Sequence, residues 1–272
     1  MALISAEFFS KCLGRGTSIY TILPEKGQGR PGPDGRFPVV WLLHGASEDY
    51  TAWQRESSLE RYLRKAGIAC VMPSADLSFY TNVDGGRYFD YITGELPELC
   101  SRMFPISTNP ADNFIAGLSM GGYGAMKAGF TCPEQYAAIG IFSSANFIDM
   151  DIREVPGGPR APLNLIRELV FGTRDLSQAH GTEHDLRWLA RQAAESGRKL
   201  PKIFSVCGTD DGCHAYSLEE AQYFQNLGYD CLFQNGPGDH NFDFWDQWLP
   251  VFLQWLPVRW QPGKGATNEQ SE

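Results

Sequence analysis

Several short stretches of the chain are apolar almost without a break: Val39-Val40-Trp41-Leu42-Leu43, Ile68-Ala69-Cys70-Val71-Met72, Phe114-Ile115-Ala116, Ala137-Ala138-Ile139-Gly140-Ile141-Phe142 and Ile203-Phe204-Ser205-Val206-Cys207. Continuous runs of that length, without polar alternation, predict strands buried on both faces. Alternating, β-branched positions predict a further strand over 18–23, and the run from Cys231 predicts another over 231–234. Helical spacing between these predicts helices over 57–66, 89–104, 123–129, 217–227 and 243–256. In the second of them Leu96, Leu99 and Met103 share one side, and Pro97 sits early in the helix or kinks it. Strands alternating with helices read as βαβ units, an α/β fold with a mostly parallel sheet and helices on both faces. On such a sheet, ligands bind at the carboxyl ends of the strands.

The segment 151–198 breaks the alternation. It is Pro- and Gly-rich, then charged and helical, with no clear strand, and reads as an insertion that caps the site. The organisation expected is one domain over 1–260, followed by a polar, disordered tail over 261–272. No internal repeat is visible.

Composition narrows the class. The chain has 272 residues, of which 43% are hydrophobic, enough for a sizeable core, and a formal net charge of −9. That acidic balance argues against nucleic acid or an anionic membrane surface as partner. The first residues, Met1 to Glu7, carry no basic n-region and no long apolar run, so no signal peptide is expected. No stretch approaches the length of a membrane span. The seven cysteines are scattered, and none forms a Cys-x-x-Cys pair. Such usage fits a reducing compartment, so a cytoplasmic protein is expected.

The candidate chemistry centres on Gly117-Leu118-Ser119-Met120-Gly121. A buried strand precedes it and a helix with a small-residue face follows, the context in which Gly-x-Ser-x-Gly forms a nucleophile elbow. The turn forces the serine into a strained conformation, and side chains at Gly117 or Gly121 would collide with their neighbours. Ser119 is then held at the tip with its hydroxyl exposed.

A serine hydroxyl needs an adjacent base, and the base needs an orienting acid. On the α/β-hydrolase pattern these follow in the order serine, acid, histidine. His240, in a glycine-rich loop before the final helix, is the histidine late enough and after a strand. His44 reads as a turn residue, and His214 follows the acid too closely. His180 and His184 have the i, i+4 spacing of a zinc pair, but Gly181 weakens the helix and no third ligand stands at a telling distance. They read as a solvated pair, with no metal expected. The acid is Asp210 or Asp211, one bonding the histidine and the other tying down the turn. Two backbone N–H groups are needed for the oxyanion: Met120 supplies one, and the loop after Leu43, most simply Ala46, the other.

These motifs carry a family resemblance. Leu42-Leu43-His44-Gly45, the loop Ser78-Phe79-Tyr80-Thr81-Asn82, the elbow with Gly122, Cys207-Gly208-Thr209-Asp210-Asp211 and Gly238-Asp239-His240 resemble the esterase D-like α/β-hydrolases. Together with Leu13-Gly14-Arg15, they are similar above all to the bacterial tributyrin esterase (acetylesterase) group. The resemblance covers nearly all of 1–257. It implies a carboxylesterase for short acyl chains, acting on a small acyl ester without cofactor, and a homo-oligomer. It also implies Asp211 as the acid. Relatives in that family include S-formylglutathione hydrolases, feruloyl esterases and acetyl-xylan esterases, so a thioesterase or a feruloyl or acetyl-xylan esterase is the alternative reading. Trp53, Tyr80 and Tyr88, with Phe79, are expected as rings lining the substrate mouth. Phe242 and Trp245 follow the base closely, and a short acyl pocket is the consequence expected.

Overall fold

The computed structural model describes residues 1–25, 27–150 and 168–259. Among them, eight strands form one sheet: β1 (Ala2–Ser10), β2 (Arg15–Leu23), β3 (Val39–Leu43), β4 (Ala69–Pro73), β5 (Asn113–Leu118), β6 (Ala138–Phe142), β7 (Lys202–Gly208) and β8 (Cys231–Gly236). Their spatial order is β1-β2-β4-β3-β5-β6-β7-β8. From β4 to β8 neighbouring strands run parallel, whereas β1 and β2 form an antiparallel hairpin on the β4 edge. The strand that ends in Ser119 is β5, in the middle of the parallel array.

Among the described residues the helices include α1 (Ala52–Glu56), α2 (Leu59–Ala66), α3 (Leu96–Met103), α4 (Met120–Thr131), α5 (Leu186–Glu195), α6 (His214–Asn226) and α7 (Phe242–Trp255). Successive side chains of a strand point to opposite faces, and the core divides accordingly. Val39, Trp41, Leu43, Ile115, Ile139 and Ile203 pack on the side of Tyr123, Met126 and Phe130 of α4. Val40, Leu42, Phe114, Phe142, Phe204 and Val206 pack on Leu59 and Leu63 of α2 and on Leu249, Phe252 and Leu253 of α7. Burying each such side chain contributes about 1.5–3 kcal/mol, which is why the unbroken apolar runs occupy the middle of the sheet.

Three departures from the sequence reading have physical causes. The edge strand β1 was not expected: its residues alternate between half-buried and exposed, as befits a strand covered on one face only. The helix predicted over 89–104 is interrupted, with a π turn at Tyr91–Glu95 ahead of α3. Pro97 has no N–H to give to the Thr93 carbonyl, so the regular ladder fails there. The short helix α1 fills the loop after β3. Of the segment expected to form a cap, 151–167 lies outside the described residues. The remainder contains a 3-10 turn at Leu176–Ala179 and α5, capped by the Asp185 side chain on the Arg187 and Trp188 N–H groups. The expected tail, 261–272, also lies outside the described residues.

Candidate active site

At the end of β5 the backbone of Ser119 adopts φ 50° and ψ −118°, and α4 starts at the next residue. A Cβ on Gly117 would lie 2.4 Å from the Gly121 backbone, and one on Gly121 would lie 2.5 Å from the Leu43 carbonyl oxygen. Only glycine permits the strand and helix to approach so closely. Among the described residues Ser119 is one of six non-glycine residues with positive φ, the others being Ser47, Asp76, Phe79, Tyr80 and Ser143. All six follow the carboxyl ends of β3, β4, β5 and β6. Strain of this kind costs about 1–3 kcal/mol per residue and gathers at functional sites.

Asp211 lies just beyond β7 and His240 just beyond β8. His240 Nδ1 is 3.0 and 3.1 Å from the two Asp211 carboxylate oxygens. Burial alone would push the Asp211 carboxyl up. The hydrogen bond and charge of His240, the Cys213 N–H and the Ser143 hydroxyl outweigh that and hold it below the usual carboxylate range. An ionised carboxylate only accepts, so Nδ1 carries the proton and, in the neutral ring, Nε2 is left as the basic nitrogen.

The two aspartates do not divide the work as expected. Asp211 does both jobs, since its Oδ1 also accepts the Cys213 N–H at 2.8 Å and so fixes the turn. Asp210 is exposed and takes part through its backbone, its N–H donating to the Gly238 carbonyl at 3.0 Å.

The loop after β3, which carries Ala46, is held at several points. The Tyr80 hydroxyl donates to the His44 carbonyl at 2.9 Å. The Ala75 N–H donates to His44 Nε2 at 3.0 Å, so the proton of this buried imidazole is on Nδ1, which meets the Gly45 carbonyl at 2.8 Å. The Gly45 N–H donates to Glu48 Oε2 at 2.8 Å. Burial lowers His44 to a pKa of about 4 and raises Glu48, the latter against the pull of the Gly45 N–H and the His240 charge. On the other side, Met120 is the first residue of α4, where backbone N–H groups have no intrahelical partner.

The rings expected at an open mouth are buried. Trp53 is 1% exposed, donates its indole N–H to the Leu43 carbonyl at 2.9 Å and packs edge-on against Phe142 and Phe242. Tyr80 is equally buried, with its hydroxyl on the loop just described. The Tyr88 hydroxyl is bound by Arg15 and Asp76. Amphipathic loop aromatics give no sequence signal that separates core from mouth, and all three of these rings are buried.

Of the remaining histidines, His214 lies against the Phe233 ring. His180 is exposed, whereas His184 is not the solvated residue expected: its ring packs edge-on against Phe171 and its carbonyl accepts the Tyr123 hydroxyl. Among the described residues one group could offer three ligand atoms to a metal, Asp211, Cys213 and His240. Asp211 and His240 are already bonded to each other. Burial and the Asp211 charge raise the Cys213 thiol far above its ordinary pKa, which makes it a poor ligand. Among the described residues no helix is long and apolar enough to cross a membrane.

The family model "Putative esterase" matches residues 10–256. An acetyl esterase of Caldicellulosiruptor saccharolyticus is 29% identical over 273 residues, covering 94% of this chain and 98% of that protein. The substrate-bound structure of fluorophosphonate-binding serine hydrolase F (FphF) of Staphylococcus aureus superposes with a TM-score of 0.82 at 31% identity, covering 94% of this chain and 98% of the other. The S-formylglutathione hydrolase FrmB of the same organism, as apoenzyme, gives 0.79 at 31% identity with the same coverage. The fold is that of the α/β-hydrolases. Within it, the chain belongs to the esterase family, among the esterase D-like members, and is a carboxylic ester hydrolase.

Proposed function

We propose that the protein is a serine esterase that cleaves short-chain acyl esters, acetyl to butyryl, through an acyl-enzyme on Ser119. The observation that carries this reading is the Asp211–His240 bond, made by residues beyond β7 and β8, together with a strained serine at the carboxyl end of β5 in the same sheet. His240 Nε2 takes the Ser119 hydroxyl proton as Oγ attacks the acyl carbon. Asp211 keeps the imidazole in the required tautomer and stabilises the imidazolium. The negative oxygen of the tetrahedral intermediate is met by the N–H groups of Ala46 and Met120. The carbon–oxygen bond to the leaving alcohol then breaks, and the alcohol takes the proton from Nε2. Water repeats the cycle on the acyl-enzyme and releases the acid.

Short acyl chains are favoured by how tightly the neighbouring rings fill space. Phe79, Tyr123, Phe147 and Phe171 pack on one another at centroid distances of 5.2–6.1 Å. A methylene gains only about 0.8 kcal/mol on burial, while forcing it into packed rings costs about 1–3 kcal/mol. A cytoplasmic location is supported by the seven free cysteines, and a homo-oligomer by the family resemblance. The acetyl esterase relative supports the choice of oxygen esters, and the FrmB likeness keeps S-formylglutathione as the competing substrate.

Two measurements test this. Ser119→Ala should lower kcat by about 10⁴- to 10⁶-fold and abolish labelling by a fluorophosphonate probe; more than a few per cent of residual activity would sink the assignment. On a panel from acetyl to octanoyl esters, with feruloyl esters and S-formylglutathione included, kcat/KM should peak between acetyl and butyryl and fall steeply by octanoyl. A profile that climbs to long chains, or a preference for the thioester, would replace this substrate class.

A further inference from the structure

Trp245 lies in the first turns of α7, five residues beyond His240, and its indole touches the site twice. The ring meets the His240 imidazole edge-on, with centroids 5.1 Å apart and planes at 85°. The Nε1–H donates to Ser143 Oγ at 2.9 Å. Ser143 is the first residue after β6, is fully buried, and is fixed by its own N–H on the Val206 carbonyl at 2.8 Å. A hydroxyl has one proton to give and two lone pairs. With the indole N–H on one lone pair, the Ser143 proton is free for an acceptor, and the Asp211 carboxylate is the ionised acceptor whose proton affinity that hydroxyl lowers. The Cys207 thiol, 3.9 Å from Ser143 Oγ, is a weak donor at most.

We propose that Trp245 and Ser143 are positioning residues for the acid–base pair: the indole sets the plane of the His240 ring, and its N–H aims the Ser143 hydroxyl at Asp211. The inference rests on the assignment of Asp211 and His240 made above. It gives Asp211 three donors, His240 Nδ1–H, Cys213 N–H and Ser143 O–H, and one side chain then couples the acid to the base. It also accounts for the positive φ of Ser143, 49°. Glycine would hold that conformation without strain but could not supply the hydroxyl.

The test uses Ser143→Gly, Trp245→Phe and the double variant. Ser143→Gly relieves backbone strain but leaves the buried Trp245 indole N–H without its acceptor, effects of similar size. The protein should therefore stay folded with a melting temperature near that of the wild type, while kcat falls about tenfold at unchanged KM. A carboxylate with one donor fewer keeps more of its charge for the imidazolium, so the acid limb of kcat/KM should move to higher pH. Other titratable groups facing the pair among the described residues are Glu48, Cys207 and Cys213, which these substitutions leave in place. Trp245→Phe keeps a ring and removes the N–H, and should shift the limb in the same direction. Because Trp245 acts on the acid through Ser143, the double variant should move the limb no further than Ser143→Gly alone. Shifts that add, or a slower Ser143→Gly enzyme with an unmoved acid limb, would overturn the proposal. If Trp245→Phe does not fold, the pH profile of Ser143→Gly still decides. A Ser119→Ala protein that retained activity is a separate result, against the triad itself.

Discussion

His44 illustrates how one residue can be structural by virtue of its protonation state. Its neutral ring gives a proton to the Gly45 carbonyl and takes one from the Ala75 N–H, and a second proton on Nε2 would leave that N–H without an acceptor. Its folded pKa of about 4 lies below the ordinary 6.5, so between those values the unfolded chain binds more protons and stability falls as pH drops. Urea unfolding should therefore show a loss of about 2 kcal/mol between about pH 7 and about pH 5 that His44→Gln lacks. An identical pH dependence in the two proteins would refute the buried neutral tautomer. Tyr80 holds the same loop through the His44 carbonyl, so Tyr80→Phe should lower kcat about tenfold while KM stays level. A change in KM alone would mean that Tyr80 meets substrate after all. Neither role was legible in the sequence. A histidine after an early strand announces a turn, but the donor that fixes its tautomer, the Ala75 N–H, comes from a loop some thirty residues on.

At the scale of elements, α4 carries the elbow and also a buried charge. Lys127 is 1% exposed, with its ammonium on the Thr81 hydroxyl, 5.5 Å from the Phe89 ring centroid and 3.6 Å from a Glu183 carboxylate that remains largely in water. Burial is the main reason its pKa falls to about 8. A lysine depressed in this way is a stability deficit at neutral pH that is relieved as pH rises from about 8 towards about 10.5, where the unfolded chain still holds its proton. Lys127→Met should thus be more stable than the wild type at neutral pH, by about 1–3 kcal/mol, and the advantage should shrink in alkaline solution. Calorimetry at the two pH values decides, and a less stable methionine variant at neutral pH would contradict it. The sequence showed α4 as a small-residue helix because its glycines sit where the strands press closest, yet it could not show that Lys127 points inward. The central strands were legible because burial on both faces leaves no polar position, as in β3. The hairpin strand β1 was missed because half of its positions face water, although its turn at Gly14, with φ 67°, lies in a motif already singled out.

For the whole molecule, the net charge of −9 acts on anything that approaches the carboxyl ends of the strands. Raising the salt concentration from about 10 mM to about 150 mM shortens the Debye length from about 30 Å to about 8 Å. For S-formylglutathione, which carries net negative charge, kcat/KM should rise across that range as repulsion is screened. For a neutral ester such as p-nitrophenyl acetate it should stay flat. A fall with salt for the anionic thioester would reveal a cationic approach surface that the overall charge conceals, and would favour the thioesterase reading. The mostly parallel α/β class was readable from strand–helix alternation, but the strand order was not. The convergence of Asp211 and His240 was readable only through motif order, since nothing local to 207–211 or 238–240 says that the two loops meet.

The antiparallel hairpin of β1 and β2 closes through neighbouring residues, whereas the site draws its groups from the ends of strands scattered between β3 and β8. Local contacts form early in folding and distant parallel pairings late. Recovery of esterase turnover after dilution from denaturant should accordingly lag behind the return of far-ultraviolet circular dichroism. Turnover is then a stringent assay of completed folding, because on the proposed assignment it needs residue 119 together with residues 211 and 240.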